Sequence, residues 1–208
     1  MSRSLRPAAL GLLLAISLPL GGCASLFSRD PVPIDYFVLT PVAAGGAAGS
    51  VVGGPVYAVG PIALPQYLTQ STIAIRPEDN EIAFAADKQW AGPLSSNIGS
   101  TLAENLSVML PSDRVVVLPV GPAVPVDFQV SLDVVRFERQ PDGHVALLAR
   151  WSTFGEGGRR LMGMYRSDLR SPRSADDYPE IASAMSALLA DLAREVATAL
   201  QAARTPSS

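Results

Sequence analysis

Two side chains could start covalent or acid–base chemistry in this chain: one cysteine, Cys23, and one histidine, His144. A hydrolase needs a nucleophile, a base and a group that orients the base. His144 directly follows the turn sequence Pro141-Asp142-Gly143, which makes it a turn residue rather than a catalytic base. No Gly-x-Ser-x-Gly elbow is present. A metal centre needs clustered His, Cys or carboxylate ligands. Glu78-Asp79-Asn80-Glu81 lacks the spacing of a calcium loop and reads as a polar turn. Gly155, Gly157 and Gly158 fall between two expected strands, so they do not cradle a phosphate at a helix start. The chain therefore reads as non-enzymatic, with no metal and no cofactor.

Cys23 has a specific context. Arg3 and Arg6 precede a short apolar run from Ala8 to Leu20, and Leu20-Gly21-Gly22 leads into the thiol. A basic start, a short greasy run and small residues at a cut site describe an export signal. The run is interrupted by Pro19 and falls short of the roughly 20 residues that span a bilayer. The pattern resembles a bacterial lipoprotein box, in which the thiol is diacylated and the chain is cut in front of it. The alternative is a plain secretory signal with a cysteine there by chance. A lone cysteine in an exported protein has no internal disulfide partner, which favours the first reading. Residues 1–22 are then the signal peptide and residues 23–33 a lipidated tether. Ten tether residues reach about 35 Å at most, and two acyl chains suffice for stable anchoring. Ala24 after the cysteine resembles an outer-membrane sorting signal, which gives an outer-membrane lipoprotein facing the periplasm.

A formal net charge of -3 and a pI near 5.1 argue against a nucleic-acid partner. The length beyond residue 22 suits one domain with a real core. Lys88 is the single lysine. The low charged fraction, 17% of residues, points to a surface suited to partner or lipid contacts.

Ile34–Leu39 has strand propensity. Ala43–Gly54 is almost wholly Ala, Gly, Ser and Val and reads as a long loop. Val56–Ile62 is a strand that Pro61 should end or confine to an edge. Leu64–Leu68 turns, Thr72–Arg76 is a strand, and Glu81–Ala85 a short one. Leu94, Ile98, Leu102, Leu106 and Met109 then recur at one helical turn, giving a helix over about 93–110. Pro93 fits its first turn and Pro111 stops it. Val115–Leu118 reads as an inner strand. Phe128–Val134 alternates, then slips parity at Val135 and Phe137, which predicts a bulge near Val134. Val145–Phe154 and Leu161–Arg166 complete a meander. Ser171–Asp177 reads as a polar loop, and Asp176-Asp177 as a cap. Ile181, Met185, Leu188, Leu189, Leu192, Val196 and Leu200 make one stripe of a second helix, about 178–202, packed on the sheet. The expected class is α+β: a mainly antiparallel sheet packed by two helices, in one domain over 34–204. Residues 205–208 are expected to be a disordered tail.

Tyr36-Phe37-Val38-Leu39, Val59-Gly60-Pro61-Ile62-Ala63-Leu64-Pro65-Gln66-Tyr67-Leu68 and Gln89-Trp90-Ala91-Gly92-Pro93-Leu94 stand in this order ahead of the closing helix. In that order, behind a lipoprotein box, they resemble the PqiC/YmbA family of ABC-type transport auxiliary lipoproteins. The resemblance covers most of the chain beyond the signal. It implies partnership with a periplasmic MCE-domain protein, whose conduits carry lipids between the two membranes, and with a membrane permease. It supplies no catalytic residues. Family members often carry Arg-Trp-Ala-Glu-Pro-Leu; Gln89 and Gly92 replace the two charged residues here, so an ion pair at the helix start is not expected.

Pro61, Leu64, Pro65, Tyr67 and Leu68 put apolar side chains on a segment expected to be a loop. Core packing of that loop and a partner-binding surface stand as equal readings. Trp90 is read as a staple at the helix start and Trp151 as core. Edge strands and a low-charge surface permit a homo-oligomeric ring around the conduit. The leading reading is an outer-membrane-anchored lipoprotein that docks an MCE conduit. The alternative is a lipid-binding carrier or an outer-membrane assembly chaperone.

Overall fold

The computed structural model describes residues 32–41, 54–112, 114–119, 121 and 124–204. The signal over 1–22, Cys23, most of the tether, nearly all of the Ala43–Gly54 loop and the tail 205–208 lie outside the described residues. The element order is β1 (Asp35–Phe37), β2 (Tyr57–Ala63), a 3-10 turn (Gln66–Thr69), β3 (Thr72–Ile75), β4 (Ala83–Trp90), α1 (Leu94–Met109), β5 (Val115–Val117), β6 (Phe128–Arg139), β7 (His144–Gly155), β8 (Arg160–Ser174) and α2 (Tyr178–Arg204). It is an α+β structure with a mixed, mostly antiparallel eight-stranded sheet and two helices.

The alternation in β6 and β7 dictates which face carries the helices. Val130, Leu132 and Val134 on β6, and Val145, Leu147, Ala149 and Trp151 on β7, are all buried. They meet Ile98, Leu102 and Leu106 from α1 and the Ile181–Leu200 stripe of α2 in one core cluster. Each such side chain contributes about 1.5–3 kcal/mol on full burial. The parity slip is a bulge: Val134 pairs with Ala149 and Arg136 with Leu148, so Val135 is the extra residue. It returns Phe137 to the core side. Asp177 caps α2, its Oδ1 accepting the Glu180 N–H at 2.8 Å, while Glu180 Oε2 accepts the Asp176 N–H at 2.8 Å.

Several expectations need correction. Val115–Val117 is an outer strand, paired with β2 alone among the described residues; its apolar residues pack under α1 rather than between strands. The strand expected at Glu81–Ala85 runs on through Trp90. Trp90 sits in register with Phe37, so it is the buried end of β4 rather than a helix staple. Ser171–Ser174 continues β8, with Ser174 opposite His144, because β7 is long enough to template it. Pro61 does not end β2, but pairing with β5 stops at Val59, so at Pro61 the strand has β6 alone as its neighbour among the described residues. Its ladder with β6 skips from Val59–Val130 to Ile62–Leu132, so the residue without an N–H falls in the irregularity. Gly60 supplies the needed backbone, φ +122°, and its carbonyl accepts Gln129 Nε2–H at 2.9 Å.

The sheet forks at β6. One edge of β6 pairs with β7 along its whole length. On the other, Phe128–Asp133 pairs with β2, and Arg139 with Ile75 of β3, which leads on to β4 and β1. The 3-10 turn and Glu138 occupy this fork. Glu138 is fully buried and its carboxylate takes four donors. Tyr67 Oη donates at 2.8 Å, Arg76 Nε at 3.0 Å, the Phe137 N–H at 2.9 Å and Gln140 Nε2 at 3.1 Å. A buried carboxylate persists only when paired and hydrogen-bonded in this way. Burial first, and then the neighbouring Glu138 charge, hold the Tyr67 phenol well above its usual range.

Three outcomes follow from this geometry. Glu138→Ala strands Arg76 and Tyr67 and lowers stability by about 3 kcal/mol, read as a lower urea midpoint at unchanged slope. Because the folded state favours the neutral Tyr67 phenol, its stabilising effect is complete below the usual phenol pKa and is lost as pH rises through the elevated one. Tyrosinate absorbance of wild-type and Tyr67→Phe protein therefore coincides through the ordinary phenol range and separates only above it. Gly60→Ala puts a Cβ 3.2 Å from Leu118 Cβ at a positive φ and costs about 1–2 kcal/mol in the same denaturation assay.

Candidate functional site

β8 is an outer strand, paired with β7 alone among the described residues. It keeps Leu161, Met164 and Tyr165 exposed, Met164 by 76%. The register explains how these residues divide. Thr153 opposes Gly163 and Trp151 opposes Tyr165 on the helix side, while Ser152 opposes Met164 on the helix-free side. Tyr165 lies flat on Trp151, ring centroids 4.1 Å apart at 17°. Trp151 is buried and its Nε1–H donates to Ser167 Oγ at 2.8 Å, whose hydroxyl donates in turn to Glu195 on α2. A chain of contacts from helix to strand thus holds the Tyr165 ring in place while its outer face stays open.

Two apolar grooves flank this ring. One, about 610 Å³, runs between β8 and the second half of α2 and is lined by Tyr165, Thr198, Ala199 and Ala202. The other, about 550 Å³, lies on the helix-free side against Pro61, Ala63, Ser152 and Met164. Arg150 and Arg166 stand directly opposite each other at its rim. Like charges so placed repel. Each has a carboxylate nearby: Asp133 is 3.9 Å from Arg150 and Asp168 is 3.2 Å from Arg166.

The arrangement holds no catalytic constellation among the described residues. His144 begins β7 half-buried, with Nδ1 2.8 Å from the Ser171 carbonyl. It braces two strands. No group of three His, Cys, Asp or Glu side chains able to hold a metal occurs among the described residues. The turn at Glu78–Glu81 closes on itself through the Glu81 N–H to the Glu78 carbonyl, at 3.1 Å. No helix of the described residues is long and apolar enough to cross a membrane.

The structure does not gather Pro61, Leu64, Pro65, Tyr67 and Leu68 into one surface. Leu68 is buried, Leu64 and Tyr67 pack against the core, and the Tyr67 hydroxyl is held by Glu138. Pro61 is exposed and lines the helix-free groove. Pro65 precedes the 3-10 turn, half-buried, and its carbonyl accepts the Leu68 N–H at 2.9 Å. Cys23 lies outside the described residues. Sequence reasoning missed the Leu161–Tyr165 strip. Its signal was there: Leu161-Met162-Gly163-Met164-Tyr165 lacks the polar alternation that a strand with one wet face shows.

Comparison with known proteins agrees with this picture. Residues 37–197 match the family model described as the ABC-type transport auxiliary lipoprotein component. The intermembrane transport lipoprotein PqiC of Escherichia coli strain K12 is 25% identical over 181 residues, spanning 87% of this chain and 91% of that protein. Two crystal structures share the fold. One, an uncharacterised protein, superposes with a TM-score of 0.63 at 21% identity, covering 81% of this chain and 99% of its own. The other, a Xanthomonas campestris protein, gives 0.61 at 17% identity, covering 82% and 100%. The chain belongs to the family of ABC-type transport auxiliary lipoprotein components.

Proposed function

We propose that this protein is an outer-membrane-anchored periplasmic lipoprotein that positions an MCE-type conduit and its permease in an intermembrane transport system. The observation that carries this reading is the family match over 37–197 standing directly behind Cys23 in its lipoprotein-box context. The mechanism is positional. Diacylated Cys23 holds the domain at the membrane, and protein contacts hold the conduit end beside it. Linking two binding events in this way raises effective concentration without new chemistry. The Tyr165 strip with its two grooves, and Pro61 at the rim of one, supply a surface for the conduit. The name of the Escherichia coli relative, an intermembrane transport lipoprotein, supports the system-level part of the reading.

The lipid-carrier alternative needs an enclosed apolar cavity between sheet and helices. Among the described residues that layer is filled by Ile98, Leu102, Leu106, Leu188 and Leu192, each at most 1% exposed. The positional reading is therefore preferred.

Two measurements test it. Cys23→Ser moves the protein from the sedimenting membrane fraction to the soluble periplasm, whereas wild type stays with the outer membrane. Gentle-detergent pull-down of wild type recovers an MCE-domain protein, and Met164→Asp with Tyr165→Asp reduces that recovery at least tenfold, about 1.4 kcal/mol. Recovery of no MCE protein by wild type defeats the reading.

A further inference from the structure

A second exposed apolar patch lies at the other end of the sheet from β8. β1 is an outer strand, paired with β4 alone among the described residues. Ile34, Tyr36 and Val38 share one side of it by the period of two. Tyr36 aligns with Gln89 of β4. The β3–β4 register shifts between Thr72 and Ala74, so parity does not carry across to Phe84, which is a further exposed aromatic residue of β4. The alternate residue Phe37 turns inward against Trp90, on the helix side. Tyr36 is 63% exposed and Phe84 46%, and Ile34 and Val38 are exposed as well. An edge strand normally blunts such a surface with charge; here the side that carries Tyr36, flanked by Ile34 and Val38, has none, and the exposed Asp35 lies on the other side.

We propose that this patch is the surface the domain lays on the lipid bilayer. The proposal rests on the reading of Cys23 as acylated. Two observations select the bilayer over other occupants. First, only ten residues separate Cys23 from Ile34, so an acylated Cys23 keeps the patch within about 35 Å of the membrane whatever path they take. Second, the neighbouring charges are already matched to each other. Lys88 Nζ lies 2.8 Å from Asp35 and 2.6 Å from Asp87. Among the described residues Lys88 beside the patch is thus already neutralised, so contact is apolar, with the Tyr36 hydroxyl left at headgroup level. The β8 strip differs in being flanked by two grooves, which suit an inserted protein segment. One molecule then meets lipid at its β1 edge and its transport partner at its β8 edge.

Acylation of the native thiol leaves an introduced cysteine as the single free one, since the chain has one cysteine. Full-length lipidated Tyr36→Cys, Val38→Cys and Met164→Cys proteins carry an environment-sensitive fluorophore and are reconstituted into phosphatidylcholine–phosphatidylethanolamine vesicles containing acyl-chain quencher lipids. Expected is loss of emission at positions 36 and 38, retained emission at 164, and the same pattern in high salt. Co-flotation with the vesicles checks anchoring separately. Protein that floats yet keeps full emission at 36 and 38 overturns the proposal while leaving the anchor intact. So does a label at 36 already shielded before vesicles are added, which shows that a second copy or another part of the chain covers the patch. Protein that fails to float overturns the acylated-Cys23 reading, and this proposal with it.

Discussion

The Glu138 carboxylate holds the sheet together at the point where it divides. Between Asp133 and Arg139, β6 has no strand partner on its β2–β3 side among the described residues. A gap in a ladder leaves backbone groups that need partners away from water. Glu138 answers one of them by accepting the Phe137 N–H, and draws in Tyr67, Arg76 and Gln140 to satisfy its own charge. Those side chains come from the 3-10 turn and from the residues that directly follow β3 and β6. One buried anion thereby ties the β2–β3 connection and the end of β3 to β6. A buried ion group of this kind adds little net stability against an apolar alternative, but removing one partner from it is costly. Its effect is to define one arrangement.

β8 ends one side of the sheet and β1 another, and several exposed apolar side chains lie on or beside these two strands: Ile34, Tyr36 and Val38 at β1, and Leu161, Met164 and Tyr165 on β8. The core is filled by side chains of both helices, α1 packing on β2 and β5 and α2 on β6, β7 and β8. Function in such a molecule resides on the rim. The Trp151–Tyr165 stack illustrates how a rim side chain is kept rigid: a buried indole beneath it is tied through Ser167 to Glu195 on α2. A preformed aromatic surface loses less entropy on contact than a mobile one.

The helices and the meander were legible because their periods are unambiguous. Leu94 through Leu106 and Ile181 through Leu200 repeat at a helical turn, and the slip at Val135 marks a bulge by counting alone. The errors share one cause. Val115–Val117, Glu81–Ala85 and the end of β8 were misjudged because strand position and length depend on a neighbour distant in sequence, which local propensity does not encode. Pro61 was legible in part: pairing with β5 stops before it, while the ladder with β6 resumes beyond it. A strand tolerates proline inside a sheet where the register skips, and the skip is decided jointly by Gly60 and by β6. Glu138 was not singled out, since Phe-Glu-Arg in a β-strand reads as one ordinary outward charge.

The sequence by itself determined the α+β class, the two helices, the hairpins of the meander and the lone thiol behind a signal-like start, because each is written in contiguous residues. Only the tertiary structure decided where the sheet forks, which strands are outermost, and that Leu161, Met164 and Tyr165 remain exposed while Leu68 is buried. Those outcomes depend on which apolar residues find a partner across the fold. A side chain's chemistry is local, but its exposure is a property of everything packed around it.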